Sequence, residues 1–398
     1  MIMIKDLSAR VQRIKPSPTL AVSARADQLI AEGKNIINLS VGEPDFDTPQ
    51  HIKDAAIQAI QDGFTKYTAV DGTPGLKKAI INKFARDNQL SYAPDQIIVS
   101  CGAKHSLFNI FEALLNAGDE VIIPAPFWVS YPDIAKIADA IPVIIKADID
   151  QHFKITPAQL EAAITPETRI FVINSPSNPS GVSYTKEELK ALGDVLLRYP
   201  NIIVVTDDIY EHTVFKPDSF VNIIMACPAL YDRCLVVNGA SKVYAMTGWR
   251  IGYTAGPSKI IAAMKKIQSQ STSNPTSFSQ IATEIALNGD QTCIKTMVHA
   301  YKERHDYIVN ALKQIPGMMV HPCDGTFYTF PNVEALIKKS SQINNDIEFA
   351  EYLLNEAEIA VIPGSAFGLP GYLRISYATS MPKIQEAMRR FAEAVVKL

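Results

Sequence analysis

Between residues 95 and 255 the chain alternates short β-branched runs with helical patterns, and no other feature of the sequence restricts the fold as much. The runs are QIIVS (96–100), DEVIIP (119–124), IPVIIK (141–146), TRIFVINS (168–175), IIVVTD (202–207), RCLVVNG (233–239) and RIGYTAG (250–256). Segments such as LFNIFEALLNA (107–117) and KEELKALGDVLLRY (186–199) lie between them, with apolar residues at i, i+3 and i+4. This order predicts an α/β domain whose mainly parallel sheet is covered on both faces. Ligands of such sheets bind beyond the carboxyl ends of the strands. Residues that follow those ends are therefore the first candidates for chemistry.

Beyond about residue 295 the pattern changes to charged helices, a short strand-like GTFYTF (325–330) and a final helix KIQEAMRRFAEAVVKL (383–398), which reads as a smaller α+β unit. At 398 residues the chain has room for two to three units, and 47% hydrophobic against 20% charged residues is an ordinary globular balance. Lys plus Arg number 38 and Asp plus Glu 41, for a net charge of -3, so no overall field draws nucleic acid or an anionic membrane. Cys101, Cys227, Cys234, Cys293 and Cys323 form no C-x-x-C and no disulfide spacing, which points to the reducing cytoplasm. The N-terminal stretch MIMIKDLSARVQRIKPS lacks an apolar leader core, and no run is long enough to span a bilayer.

Several common motifs fail. No G-x-G-x-x-G follows a strand and no G-x-x-x-x-G-K-[ST] occurs, which removes the main support for nicotinamide and P-loop readings. Ser183-Tyr184-Thr185-Lys186 fits S-x-x-K but has no K-T-G partner, and it reads as the start of a helix. There is no nucleophile elbow, and the seven histidines show no H-x-x-x-H spacing. No metal site is expected.

Other segments converge. Gly239-Ala240-Ser241-Lys242 puts a lysine after an apolar strand among small residues, where a ligand ring could approach the backbone. Thr247-Gly248-Trp249-Arg250-Ile251-Gly252 then supplies an arginine able to hold an anion. The whole run resembles the pyridoxal-phosphate attachment signature of the class I/II aminotransferases. Asn178 in Ser175-Pro176-Ser177-Asn178-Pro179-Ser180-Gly181 is similar to the family's N-P-x-G turn, and Asp207 and Tyr210 in Thr206-Asp207-Asp208-Ile209-Tyr210 to its D-E-x-Y element. The resemblance runs from about residue 10 to the C-terminus. Asp208 departs from the usual Glu, at a position not expected to touch cofactor.

The resemblance implies fold type I: a large domain over 48–295 with a mostly parallel sheet between helices, and a small α+β domain from 1–47 and 296–398. It implies pyridoxal 5'-phosphate as cofactor, attached to Lys242, which also moves a proton once the substrate amine displaces it. A free lysine, with a pKa of about 10.4, is too basic for that at neutral pH unless cations and desolvation lower it. Asp207 would keep the pyridine nitrogen charged, while Tyr210 and Asn178 would bind the ring hydroxyl oxygen. The amides near Gly102 and Ala103, at the start of a helix, and the Arg250 guanidinium would hold the phosphate. Trp128 matches the aromatic that stacks on the ring. Tyr67 matches the tyrosine that reaches the neighbouring subunit's phosphate, which implies a homodimer with shared active sites.

For substrate, Arg374 in Tyr372-Leu373-Arg374-Ile375-Ser376-Tyr377 matches the arginine that grips the α-carboxylate. Gly42 in Ser40-Val41-Gly42-Glu43-Pro44 matches the glycine that approaches the same group. Lys104 and the segment Lys15-Pro16-Ser17-Pro18-Thr19 resemble the bacterial branch that includes aspartate/prephenate enzymes. There a cation beside the cavity, and a hydroxyl residue such as Thr19, favour a distal carboxylate; Lys104 as a mere phosphate counter-charge is the alternative. The expectation is a ping-pong transamination from aspartate to 2-oxoglutarate, with prephenate as a further acceptor. Aromatic, alanine or kynurenine-type transamination and β-lyase chemistry remain alternatives, since fold and cofactor alone do not select among them.

Overall fold

The structure, a computed structural model, describes residues 7–216 and 219–398. Residues 1–6, which open the stretch read above for a leader, lie outside that range. A short strand β1 (Ile37–Asn38) comes first. Seven strands of one sheet follow: β2 (Ile97–Ser100), β3 (Glu120–Ala125), β4 (Ile141–Lys146), β5 (Thr168–Asn174), β6 (Ile203–Asp207), β7 (Cys234–Gly239) and β8 (Gly252–Ala255). Each falls on one of the seven runs picked out in the sequence. Their spatial order is β2-β8-β7-β6-β5-β3-β4. All pairings are parallel except those of β8, which runs antiparallel to both β7 and β2.

Six of the seven apolar runs are buried on both faces, as their composition requires, while the edge strand β4 leaves Ile141 and Ile144 exposed. Ile97, Val99, Phe171, Val204 and Val236 point into one helix layer, and Ile98, Val121, Ile170, Val205 and Val237 into the other. Each fully buried side chain of this size contributes about 1.5–3 kcal/mol. Helix Lys186–Leu197 begins with a capping box: Thr185 accepts from the Glu188 amide, and the Glu188 carboxylate accepts from the Thr185 amide at 2.7 Å. The S-x-x-K match is thus a helix start, as read, with Thr185 rather than Ser183 as the cap.

The remaining strands are β9 (Tyr328–Thr329), β10 (Ile359–Ala360), β11 (Ile362–Pro363) and β12 (Leu373–Ser376). Strand β12 lies between β11 and β9, and β10 pairs in parallel with β1, so both ends of the chain meet here. A separate core gathers Leu39, Tyr301, Phe327, Phe349, Ile375 and Phe391. The final helix, Met381–Val396, turns Ile384, Ala387, Phe391 and Val395 inward, a spacing that follows the helical repeat. GTFYTF yields only the two-residue β9, because Asp324 and Gly325 are tied instead to Gly181. Among the described residues no helix is long and apolar enough to cross a membrane.

Candidate active site

A cavity of about 560 Å³ opens where the carboxyl ends of the sheet strands face the small core. It is lined by Thr19, Gly42, Ala103, Lys104, Trp128, Asn178, Asp207, Tyr210, Lys242, Arg250 and Arg374. These are eleven of the thirteen residues singled out in the sequence. Gly102 caps the helix that carries Ala103 and Lys104. Tyr67 is the one set apart, 92% exposed and away from the cavity.

Sheet register assembles the deepest part. Asn174, the last residue of β5, pairs with Asp207, the last of β6. Its side-chain amide donates to the Asp207 carbonyl at 2.7 Å, and its Oδ1 accepts from the Asn178 amide at 2.8 Å, so one residue ties both site segments together. The Asp207 carboxylate accepts from the Tyr131 hydroxyl at 2.6 Å and, more weakly, from the Ile209 amide at 3.3 Å. Burial pushes its pKa up to about 6 against these donors. The neighbouring Asp208 points elsewhere, to Thr206 and Asn222, and does not line the cavity.

Lys242 follows β7 in the short helix Ala240–Val243. The residue is only partly buried, because the cavity opens onto it, yet its amino group is enclosed and donates to the Gly42 carbonyl at 2.5 Å. Burial is the main force that lowers its pKa to about 8; Glu43 opposes the shift, while Arg374 and Arg250 add to it. That is the direction an amine base needs. Arg250, with φ +56°, donates to the Thr247 and Cys101 carbonyls at 2.8 and 3.4 Å. Its guanidinium packs where a Cβ on Gly102 would lie, and Gly252 allows β8 to pass against Ala103. The Gly102 N–H is already bonded to Ser100, so the free amides at this helix start are those of Ala103 and Lys104. The amide expected of Gly102 is thus committed, because the tight turn at φ +88° folds it back on β2.

Arg374, on β12, reaches across from the small core. It is 3% exposed and donates to the Ser40 carbonyl at 2.6 Å and to Asn178 Oδ1 at 3.2 Å. Its guanidinium lies over the Tyr328 ring at 4.5 Å, its Nε has no partner, and among the described residues no carboxylate pairs with it. A buried guanidinium left this way is chemically able to receive an anion. A Cβ on Gly42 would press on Tyr328 and the same guanidinium. The Tyr210 hydroxyl lies 3.1 Å from that of Tyr328, and burial holds its pKa well above the usual value.

Nearer the opening, the Lys104 amino group sits 5.0 Å over the Trp128 ring, and burial together with Arg250 lowers its pKa. Thr19, in the first turn of helix Pro18–Ala31, is hydrogen-bonded to Ser17. Tyr131, Asn174 and Tyr328 also line the cavity, and sequence reasoning assigned them no part. Tyr131 follows Trp128 through the turn that opens helix Ser130–Ile137, its amide bonded to the Trp128 carbonyl at 3.1 Å. Tyr328 lay inside a segment read only as a strand.

The cavity suits pyridoxal phosphate. An anion cradle, a buried carboxylate, an enclosed amine and an aromatic face lie around a volume typical of small-cofactor sites. Comparison with known proteins agrees. Residues 34–391 match the family model described as aminotransferase class I and II, whose members depend on pyridoxal phosphate as a group. The chain is 59% identical over 391 residues to an aspartate/prephenate aminotransferase of Nitrosomonas europaea, covering 97% of this chain and 98% of that one. Against an aspartate/prephenate aminotransferase of Cereibacter sphaeroides it is 50% identical, covering 96% and 97%. The crystal structure of the Rhizobium meliloti aspartate aminotransferase superposes with a TM-score of 0.95 at 48% identity, over 99% of this chain and 100% of that one. Strand ends that gather an enclosed lysine, a buried aspartate and an unpaired arginine thus belong to a transaminase, and the chain is a member of the class I and II aminotransferases.

Proposed function

We propose that the chain is an aspartate aminotransferase that uses pyridoxal phosphate, passes the amino group to 2-oxoglutarate in a ping-pong cycle and also accepts prephenate. The observation that carries this reading is Lys242, an enclosed amine with lowered pKa placed between Asp207 and the unpaired Arg374. The names of the Nitrosomonas and Cereibacter relatives, which pair aspartate with prephenate, support aspartate as donor and prephenate as the further acceptor.

When bound, the cofactor supplies an electron sink for the negative charge that develops at the substrate α-carbon. Lys242 would attach it and, as a free amine, would hold and move a proton at Nζ. Asp207 would face the ring nitrogen and favour its protonated form, while Tyr210 and Asn178 would bind the ring oxygen. Ala103, Lys104 and Arg250 would hold the phosphate at the helix start, with Gly102 shaping the turn, and Trp128 would cover the ring. Arg374 takes the α-carboxylate in a two-pronged fork beside Gly42. Lys104, with Thr19 near it, favours a second carboxylate.

The same reading divides the chain into a large domain (48–295) and a small one (1–47 and 296–398), whose groups meet at the cavity. It also makes the protein a homodimer. Tyr67 lies 92% exposed in the chain alone, and Ile57, Ile60, Phe64 and Ile285 are exposed on the same part of the fold, as a shared interface requires. Five free cysteines support a cytoplasmic setting.

The test is Lys242→Ala. Turnover of aspartate with 2-oxoglutarate falls by about 10⁴-fold or more, and borohydride no longer fixes the cofactor to the chain. Undiminished turnover overturns the assignment.

A further inference from the structure

We propose that the Tyr131 hydroxyl is a positioning group that holds Asp207 as a carboxylate facing the cavity. The inference rests on the cofactor reading above, in which Asp207 faces the ring nitrogen.

Tyr131 lies in the first turn of helix Ser130–Ile137, 2% exposed, its ring edge-on to Trp128 with centroids 5.3 Å apart. A phenyl ring would fill the same space. The hydroxyl therefore needs its own explanation, and its partner is Asp207 Oδ2 at 2.6 Å. That length lies in the range of an O–H donor to a charged oxygen, and a carboxyl group is a pure acceptor only when ionised. The other oxygen receives just the Ile209 amide at 3.3 Å, so Tyr131 is the stronger donor.

The surroundings otherwise disfavour the charge. Burial is the largest influence on Asp207 and acts toward the neutral acid. Lys242 favours the carboxylate from across the cavity. Tyr210 and Asp208 are the other titratable groups coupled to the Tyr131–Asp207 pair, and neither donates to Asp207. Without the hydroxyl, a proton would reside on Asp207 over a wider pH range, and the cavity would face the ring nitrogen with a neutral acid.

The experiment follows the infrared carbonyl band of protonated Asp207 against pH in the full-length protein without cofactor, with Asp207→Asn to identify the band. In Tyr131→Phe the midpoint rises by about one unit, the scale of one charge-assisted hydrogen bond. In the loaded enzyme kcat falls by up to about tenfold at pH below the midpoint, by the same conversion, and by less than about twofold well above it, while KM for the amino acid changes little. An unchanged midpoint, or a loss of kcat equal at every pH, overturns the proposal. Site-specific 3-fluorotyrosine at 131 keeps the shape, offers a more acidic donor and should move the midpoint down; no movement is equally fatal. Since the band is read without cofactor, it tests the coupling even where the Lys242→Ala result rejects the cofactor reading.

Discussion

Asp207 and Lys104 face the same cavity from its two ends and are held in opposite ways. At the floor, Asp207, Tyr210, Asn178 and Arg374 are 4%, 3%, 5% and 3% exposed, and every one is fixed by at least one side-chain hydrogen bond. At the mouth, Lys104 is exposed as a residue although its amino group is partly desolvated over the Trp128 ring, and among the described residues the side-chain hydrogen bond of Thr19 is to Ser17 alone. Groups that serve a constant chemistry are built in advance, at the expense of burying charge. On the proposed reading, the groups that choose among substrates are the ones left with freedom, to be ordered when a ligand arrives.

The contrast breaks first at the floor. Arg374→Lys keeps the charge but loses the fork, and KM for amino donors should rise about 100-fold, or about 3 kcal/mol, with kcat less affected. A rise under threefold in steady-state kinetics would mean that the α-carboxylate is held elsewhere.

A smaller effect concerns stability. The native pKa of Asp207 is about 6 against an ordinary 3.8. From pH 4 to 6 the folded chain therefore keeps a proton that the unfolded chain has lost, and the associated stability disappears as pH rises through 6. Cofactor-free Asp207→Asn should consequently be more stable than the parent at pH 7 by about 1–3 kcal/mol. The gain should vanish below pH 4, as urea unfolding at both pH values would reveal. No gain at pH 7 implies that the floor carboxylate is not held against burial.

The smallest effect sharpens the mouth. Lys104→Ser should raise KM for aspartate and 2-oxoglutarate about five- to tenfold, in line with roughly 1 kcal/mol for one partly exposed charge pair, and leave alanine and phenylalanine nearly unchanged. Equal changes for all four substrates would make Lys104 a phosphate counter-charge.

The strands and most site residues were legible because their signals are local. Seven apolar runs gave seven strands, and Lys242, Asp207 and Arg250 sit in short motifs just past or before strand ends. What escaped depends on contacts between distant segments. Tyr131 matters through Asp207, 76 positions away, and Tyr328 through Tyr210, 118 positions away, contacts that neither tyrosine's flanking sequence specifies. Spending the Gly102 amide on Ser100 was hidden for another reason, since it depends on a backbone angle that glycine permits but does not dictate.

The antiparallel strand β8 has a consequence for the order in which the molecule can form. It pairs with β2 across more than 150 positions, Ile97 opposite Ala255, and the Arg374 bond to Ser40 spans 334. A chain emerging from the ribosome can lay down β3 to β6 and bury their apolar faces long before either closure is available. The proposed anion cradle then waits for β8, and the proposed receptor for the α-carboxylate waits for the last few dozen residues. Ligand capture is thereby a late event in biogenesis, and a truncated chain lacking β12 would lack the arginine that completes the pocket.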